Sequence, residues 1–191
     1  QGVALHTTTP QGYTTFATEP ALATWSANAG IGGGGLTIGD PDGNLSWYLM
    51  PGSMMGDLAP YVGGTFSFDM KNDPGAGVPL TRPFLTVTSG GKTLVSAPSE
   101  LDGYNSRKSW VNVSVPWGTT TGWRVETPSG PQPTEAEFLA IAGNPEFMRV
   151  RAEYWDGDES NTFDNYRFEP AVATTVSGSV DLGLGFVGDP T

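Results

Sequence analysis

The sequence predicts an all-β protein: an antiparallel, jelly-roll-like β-sandwich with one short α-helix near residues 134–142. Three observations predict it. Short runs alternate apolar and polar residues with period two, turn-forming residues separate these runs, and a helical pattern occurs once, late in the chain. The 191 residues include 27 Gly and 16 Pro, which supply the turns. Six Trp, six Tyr and nine Phe supply the apolar area of a packed core.

The elements follow in chain order. Early strand candidates are Tyr13–Phe16, Leu36–Ile38 and Leu45–Met50. In Thr65–Met70, the residues Phe66, Phe68 and Met70 share one face. Phe84–Thr88 follows Pro83, and Gly91-Lys92 reads as a hairpin turn into Thr93–Ser96. Trp110–Trp117 alternates most cleanly, with Val111, Val113, Val115 and Trp117 against Asn112 and Ser114. The helix opens at Thr134 with Glu137 three residues on, a capping box. Gly143-Asn144-Pro145 closes it. Phe147–Trp155 alternates as well, with a slip after Phe147: Phe147, Val150 and Ala152 stand against Arg149, Arg151 and Glu153. Phe163–Glu169 is the last strand of the sandwich, so residues 1–170 are expected to form that domain. Residues 171–191 are expected to form a separate C-terminal strand or linker. Val176, Val180, Leu182, Leu184 and Phe186 share a parity there, with Gly or polar residues between most of them. Such a strand suits assembly by addition to a neighbour's sheet edge.

Composition excludes several functions. The formal net charge is −11 and the pI about 4.2, against nucleic acid or an anionic membrane as partner. No apolar run approaches the roughly 18 residues of a membrane span, so no membrane insertion is expected. There is no Cys, which removes disulfides, thiolate metal sites and cysteine nucleophiles. His6 is the single histidine, in a segment expected to be irregular, so neither an imidazole-rich zinc site nor a serine triad is expected. Gly32–Gly35 lacks the Lys-Ser/Thr and the helix of a phosphate loop and reads as a flexible turn. The carboxylates Glu100, Glu126, Glu153 and Glu159 are available, but nothing in the sequence pairs them across a cleft. The chain is expected not to be an enzyme. A start at Gln1 rather than Met is expected of a processed or excised form.

Two stretches together resemble the laminin IV type A (laminin B) domain. The first is Trp47–Pro51, Met55-Gly56-Asp57 and Tyr61–Phe68. The second runs from Gly122-Trp123-Arg124 through the capped helix to Met148–Tyr154 and Phe163-Asp164-Asn165-Tyr166. Val62 interrupts the family's Tyr-Gly-Gly turn. The resemblance covers roughly Phe16 to Ala171. It implies a sandwich similar to carbohydrate-binding modules, found in extracellular matrix and secreted microbial proteins and not catalytic. It also implies that a structural calcium can be held partly by the Asp of the last strand, here Asp164.

Candidate site residues divide into two chemistries. Asp40, Asp42 and Asp164 are candidate ligands for a structural calcium, which takes six to eight oxygens. The competing reading has these Asp side chains cap their own turns. Trp117, Trp155 and Tyr104 lie at strand ends or in loops and are candidate platforms for stacking on glycans. Trp25, Trp47, Tyr48, Trp110 and Tyr154 fall in strand patterns and read as core. The expected function is a secreted or cell-surface structural or adhesive module of a matrix, sheath or filament, with itself or other surface proteins as partners. The alternative is a carbohydrate-binding module with glycans as partners.

Overall fold

A computed structural model describes residues 3–7, 18–20, 22–40, 46–74, 78–79, 83, 85–96, 108–120, 122–156 and 158–172. Among these, two antiparallel sheets face each other, as the alternating runs predict. One sheet runs in space as β10 (Val111–Trp117), β6 (Gly64–Pro74), β14 (Glu159–Glu169), β4 (Gly35–Asp40) and β3 (Leu22–Ser26). The other runs as β11 (Arg124–Val125), β9 (Lys92–Val95), β8 (Leu85–Ser89), β12 (Phe147–Arg151), β5 (Ser46–Pro51), β1 (Val3–Thr7) and β2 (Thr18–Pro20). A short ribbon pairs β7 (Val78–Pro79) with β13 (Trp155–Asp156). His6 therefore lies in a strand, between β5 and β2, rather than in an irregular segment. The Tyr13–Phe16 candidate lies outside the described residues, as does the assembly set Val176, Val180, Leu182, Leu184 and Phe186.

The core fills the space between the sheets. Phe66, Phe68 and Met70 of β6 are buried, and β10 places Val115, Val113 and Val111 opposite them. Ile38 and Phe163 extend this inner face, while Met50, Met148, Val150, Leu85, Val87 and Leu94 meet it from the other sheet. The β8–β9 hairpin turns at Gly90-Gly91, one residue earlier than expected. Both glycines have positive φ (57° and 73°), the geometry a two-residue hairpin needs to match strand twist.

The capped helix forms as predicted. α2 (Glu135–Gly143) has Thr134 at its N-cap, where the Thr134 hydroxyl accepts from the Glu137 backbone N–H and the Glu137 side chain accepts from the Thr134 N–H. The helix packs against β8 and β9, and Lys92 of β9 pairs with Glu137 at 2.8 Å. Gly52–Met55 adds a single helical turn, α1, and Ala59–Tyr61 a 3-10 turn capped by the Asp57 side chain, neither of which the hydrophobic pattern shows.

Two expectations about burial are reversed. Arg149, Arg151 and Glu153 are buried, not turned to solvent. β12 is a central strand between β5 and β8, and both of its faces are covered. Arg151 lies over the Tyr154 ring at 4.3 Å and Arg149 over Phe147 at 5.0 Å. Trp117 and Trp123 are also fully buried. Their rings meet edge-on with Phe138 of α2 at 4.9 and 5.7 Å, and their indole N–H groups donate to Leu58 O and Pro116 O. Trp117 is thus a core residue. It comes at the end of β10, but α2 closes over that end of the sandwich.

Two outcomes follow. Replacing Trp117 with Ala should cost about 3–5 kcal/mol, read as a lowered urea midpoint at constant m-value. Glu137 is held at about 2 by its hydrogen bond to Lys92, and next by the Thr134 N–H and hydroxyl. Its folded value lies below the ordinary 4.5, so its stabilising contribution is complete above that pH and vanishes as pH falls through about 2. Amide exchange at the first turn of α2 should therefore accelerate in that window, ahead of the sheet amides.

Candidate ligand-binding cleft

The strand β14 carries a β-bulge. Asp164 is opposite Asp69, yet Arg167 is opposite Ser67, so one extra residue is accommodated between them. Asn165 makes this possible by adopting a left-handed backbone (φ 54°), which Asn tolerates better than most residues. Its amide N–H donates to the Asp164 carboxylate at 2.8 Å, and its side-chain amide donates to Asp69, also at 2.8 Å. Asp69 in turn accepts from the Asn112 side chain of β10 at 2.9 Å. The bulge changes the parity of the strand. Phe163 faces the core before it; Tyr166 and Phe168 face inward after it, with Phe168 opposite Phe66.

These inward rings line a cleft of about 350 Å³ between the sheets. Tyr48, Met50 and Met148 form one wall, and Phe66, Tyr166 and Phe168 the other. Met55, Leu58 and Tyr61 of the β5–β6 connection close one end, and Arg167 also lines it. The rings are ordered by mutual stacking. Tyr166 stacks on Tyr48 at 5.5 Å and on Phe68 at 5.6 Å, and Tyr61 leans on Phe168 at 5.7 Å. The Tyr166 hydroxyl is shielded from water and has no hydrogen-bond partner, and burial pushes its pKa well above the ordinary tyrosine value. An exposed ion pair, Arg167 with Glu169 at 3.2 Å, lies beside the cleft.

The wall is held in place from behind. The Leu58 N–H donates to Ala142 O of α2, and Leu58 O accepts the Trp117 indole N–H. Gly52 donates to Glu146 O, and a Cβ there would collide with the Pro145 carbonyl, so the connection needs glycine at this point.

No protein-family description and no curated protein matches the sequence. Solved structures do match the fold. The L4b domain of human laminin alpha-2 superimposes with a TM-score of 0.60 at 9% identity, over 86% of this chain and 88% of that one. A family 11 carbohydrate-binding module from Clostridium thermocellum, solved with a beta-1,3-1,4-mixed-linked tetrasaccharide, gives a TM-score of 0.50 at 16% identity, over 81% and 86%. The likeness to the laminin domain holds for the fold.

The residues singled out in the sequence are placed differently from expectation. Asp40 pairs with Glu159, five residues before Asp164 along β14, about 16 Å away at ~3.3 Å per residue. The backbones of Asp40 and Asp164 are therefore well apart along the sheet. Both Asp164 oxygens accept backbone N–H groups, one from the adjacent Asn165 and one from Ile31 of the distant β3–β4 turn. Asp42 lies outside the described residues. Among the described residues, no three His, Cys, Asp or Glu side chains are grouped to hold a metal. Trp117 cannot meet a ligand from solvent. The Trp155 backbone pairs with Pro79, but its side chain, like the whole of Tyr104, lies outside the described residues. Trp25, read as core, is 67% exposed.

Two of the four carboxylates, Glu126 and Glu159, have structural duties, and Glu100 lies outside the described residues. The buried Glu159 accepts from the Tyr154 N–H and from the Asn72 side chain, and Asn161 donates to Ala152 O at 2.8 Å. Glu126 accepts from the Thr93 N–H. The cleft residues Tyr48, Tyr61, Tyr166 and Phe168 were missed. The available signal was the Asp164-Asn165 pair inside a strand pattern, since both residue types favour turns over strands.

The bulge makes a direct prediction. Asn165→Val, which resists the left-handed region, should lose about 1–2 kcal/mol, whereas Asn165→Gly should lose less. Urea midpoints of the two variants, with the near-ultraviolet dichroism of the tyrosines, check it.

Proposed function

We propose that the chain is an extracellular glycan-binding module, acting by binding and not by chemistry. The observation that supports this most strongly is the aromatic cleft. Its rings offer apolar faces to the C–H face of a pyranose, with Arg167 at hand for the sugar hydroxyls.

Charge narrows the ligand. At a net charge of −11 the protein repels acidic polysaccharides, so a neutral glycan is the fitting class. Likeness to a module solved with a mixed-linked tetrasaccharide supports a β-linked glucan as the first ligand to try. The fold shared with a laminin domain and a carbohydrate-binding module supports a secreted or cell-surface setting. An adhesive role by strand addition would rest on residues 173–191, outside the described ones. The cleft stands on described side chains.

Affinity electrophoresis through soluble neutral polysaccharides tests the reading. The protein should be retarded by mixed-linkage β-glucan. Tyr61→Ala should lose the retardation while its melting temperature changes by only a few degrees, because Tyr61 sits half-buried on the rim. Free migration through every neutral glycan would overturn the reading.

A further inference from the structure

We propose that Trp25 is a second aromatic platform on the glycan-binding face, apart from the cleft, so that the ligand is an extended chain of neutral sugars and not a single ring. The proposal rests on the glycan reading above.

Strand register places Trp25. It lies opposite Leu36 of β4, which lies opposite Phe163 of β14. Residues directly opposite one another in antiparallel strands share a face, so Trp25 belongs to the same inner face as Phe163 and the cleft residues Tyr166 and Phe168. Leu36 packs against the core and Phe163 is buried in it. Trp25 stays exposed because β3 is the last strand of its sheet. It is the most exposed aromatic side chain among the described residues.

The ring nevertheless has a seat. A Cβ at Gly34 would meet the indole atoms Cζ2, Cε2 and Nε1, so the ring rests directly on the Gly34 backbone. Glycine supports the indole here without covering it. The loop that supplies Gly34 is itself fastened. Gly30 donates to Gly33 O at 2.9 Å, Ala29 to Ser26 O at 3.3 Å, and Ile31 to the Asp164 carboxylate at 2.8 Å. The last bond reaches the residue next to the bulge that aims Tyr166. One carboxylate thus joins the turn under Trp25 to the device that forms the cleft.

The spacing sets the ligand class. Tyr166 is two strands across and three residues along from Trp25, on the order of 10–15 Å. A ligand touching both must span several sugar units. A seated, exposed indole suits stacking on the C–H face of a neutral pyranose.

The test uses soluble mixed-linkage β-glucan, with affinity measured by calorimetry on the whole chain and the indole N–H signals followed by NMR. For Trp25→Ala we expect at least ~10-fold weaker binding of the polymer, about 1.4 kcal/mol. Trp25→Phe should restore part of it, and the polymer should shift the Trp25 indole signal in the unaltered protein. If Trp25→Ala binds as the unaltered protein does while Tyr61→Ala does not bind, the platform is refuted and the cleft reading stands. If the unaltered protein binds no glucan, both fall. Should Trp25→Ala not fold, an unmoved Trp25 indole signal in the saturated unaltered protein would overturn the proposal.

Discussion

The inner face of β14 beyond Asp164 depends on one extra residue. Without the bulge at Asn165, an unbroken period of two would turn Asn165 toward Phe68 and send Tyr166 and Phe168 out to solvent. That end of the sandwich would then lose two rings that pack on Phe66, Phe68 and Tyr48. A left-handed residue in a central strand is strained, and the strain is offset locally. Asp164 and Asp69 accept from the Asn165 backbone and side-chain amides, while Asn112 ties Asp69 to the neighbouring edge strand. The bulge is therefore fixed from β10 on one side and, through Asp164 and Ile31, from the β3–β4 turn on the other.

Below the bulge the same strand solves a different problem. Its first residues include Glu159 and Asn161, which are buried although polar. Burying a carboxylate without partners is costly, so its oxygens take the Tyr154 N–H and the Asn72 amide. The segment from Ala152 to Tyr154, which leaves β12 and has no ladder of its own, gains backbone partners in return. This exchange explains why Glu159 and Asn161, polar as they are, are internal. It also fixes the start of β14, from which the parity of the whole strand is counted.

Sequence pattern made the sandwich legible where a strand is covered on one face only. β6 and β10 alternate as a half-buried strand should, and α2 announces itself through Thr134 and Glu137. The reading failed where position in the sheet overrides composition. In β12, Arg149 and Arg151 alternate with apolar residues as solvent-facing residues would, but a central strand covered on both sides buries them. For the tryptophans, strand membership was taken to mean core and strand ends to mean surface. Trp25 lies within a strand but on a sheet edge, so it is exposed; Trp117 ends a strand beneath α2, so it is buried. Neither sheet order nor the closing helix can be read from local period. The cleft was missed for the same reason, since its residues come from β5, β6, β12, β14 and the connection between β5 and β6.

Trp117 nevertheless bears on the proposed binding cleft, although it never meets solvent. The β5–β6 connection brings Met55, Leu58 and Tyr61 to the cleft, beside Phe66. Two bonds hold it there: Leu58 N–H to α2, and the Trp117 indole N–H to Leu58 O. Trp117 is in turn wedged among Trp123, Phe138 and Phe168, so its indole has no freedom to release that carbonyl. A close-packed interior transmits such a constraint without slack. The tight packing at the helix end of the sandwich and the open space beside it are thus one arrangement, with the aromatic cluster serving as the fixed wall against which a binding cleft can stay open.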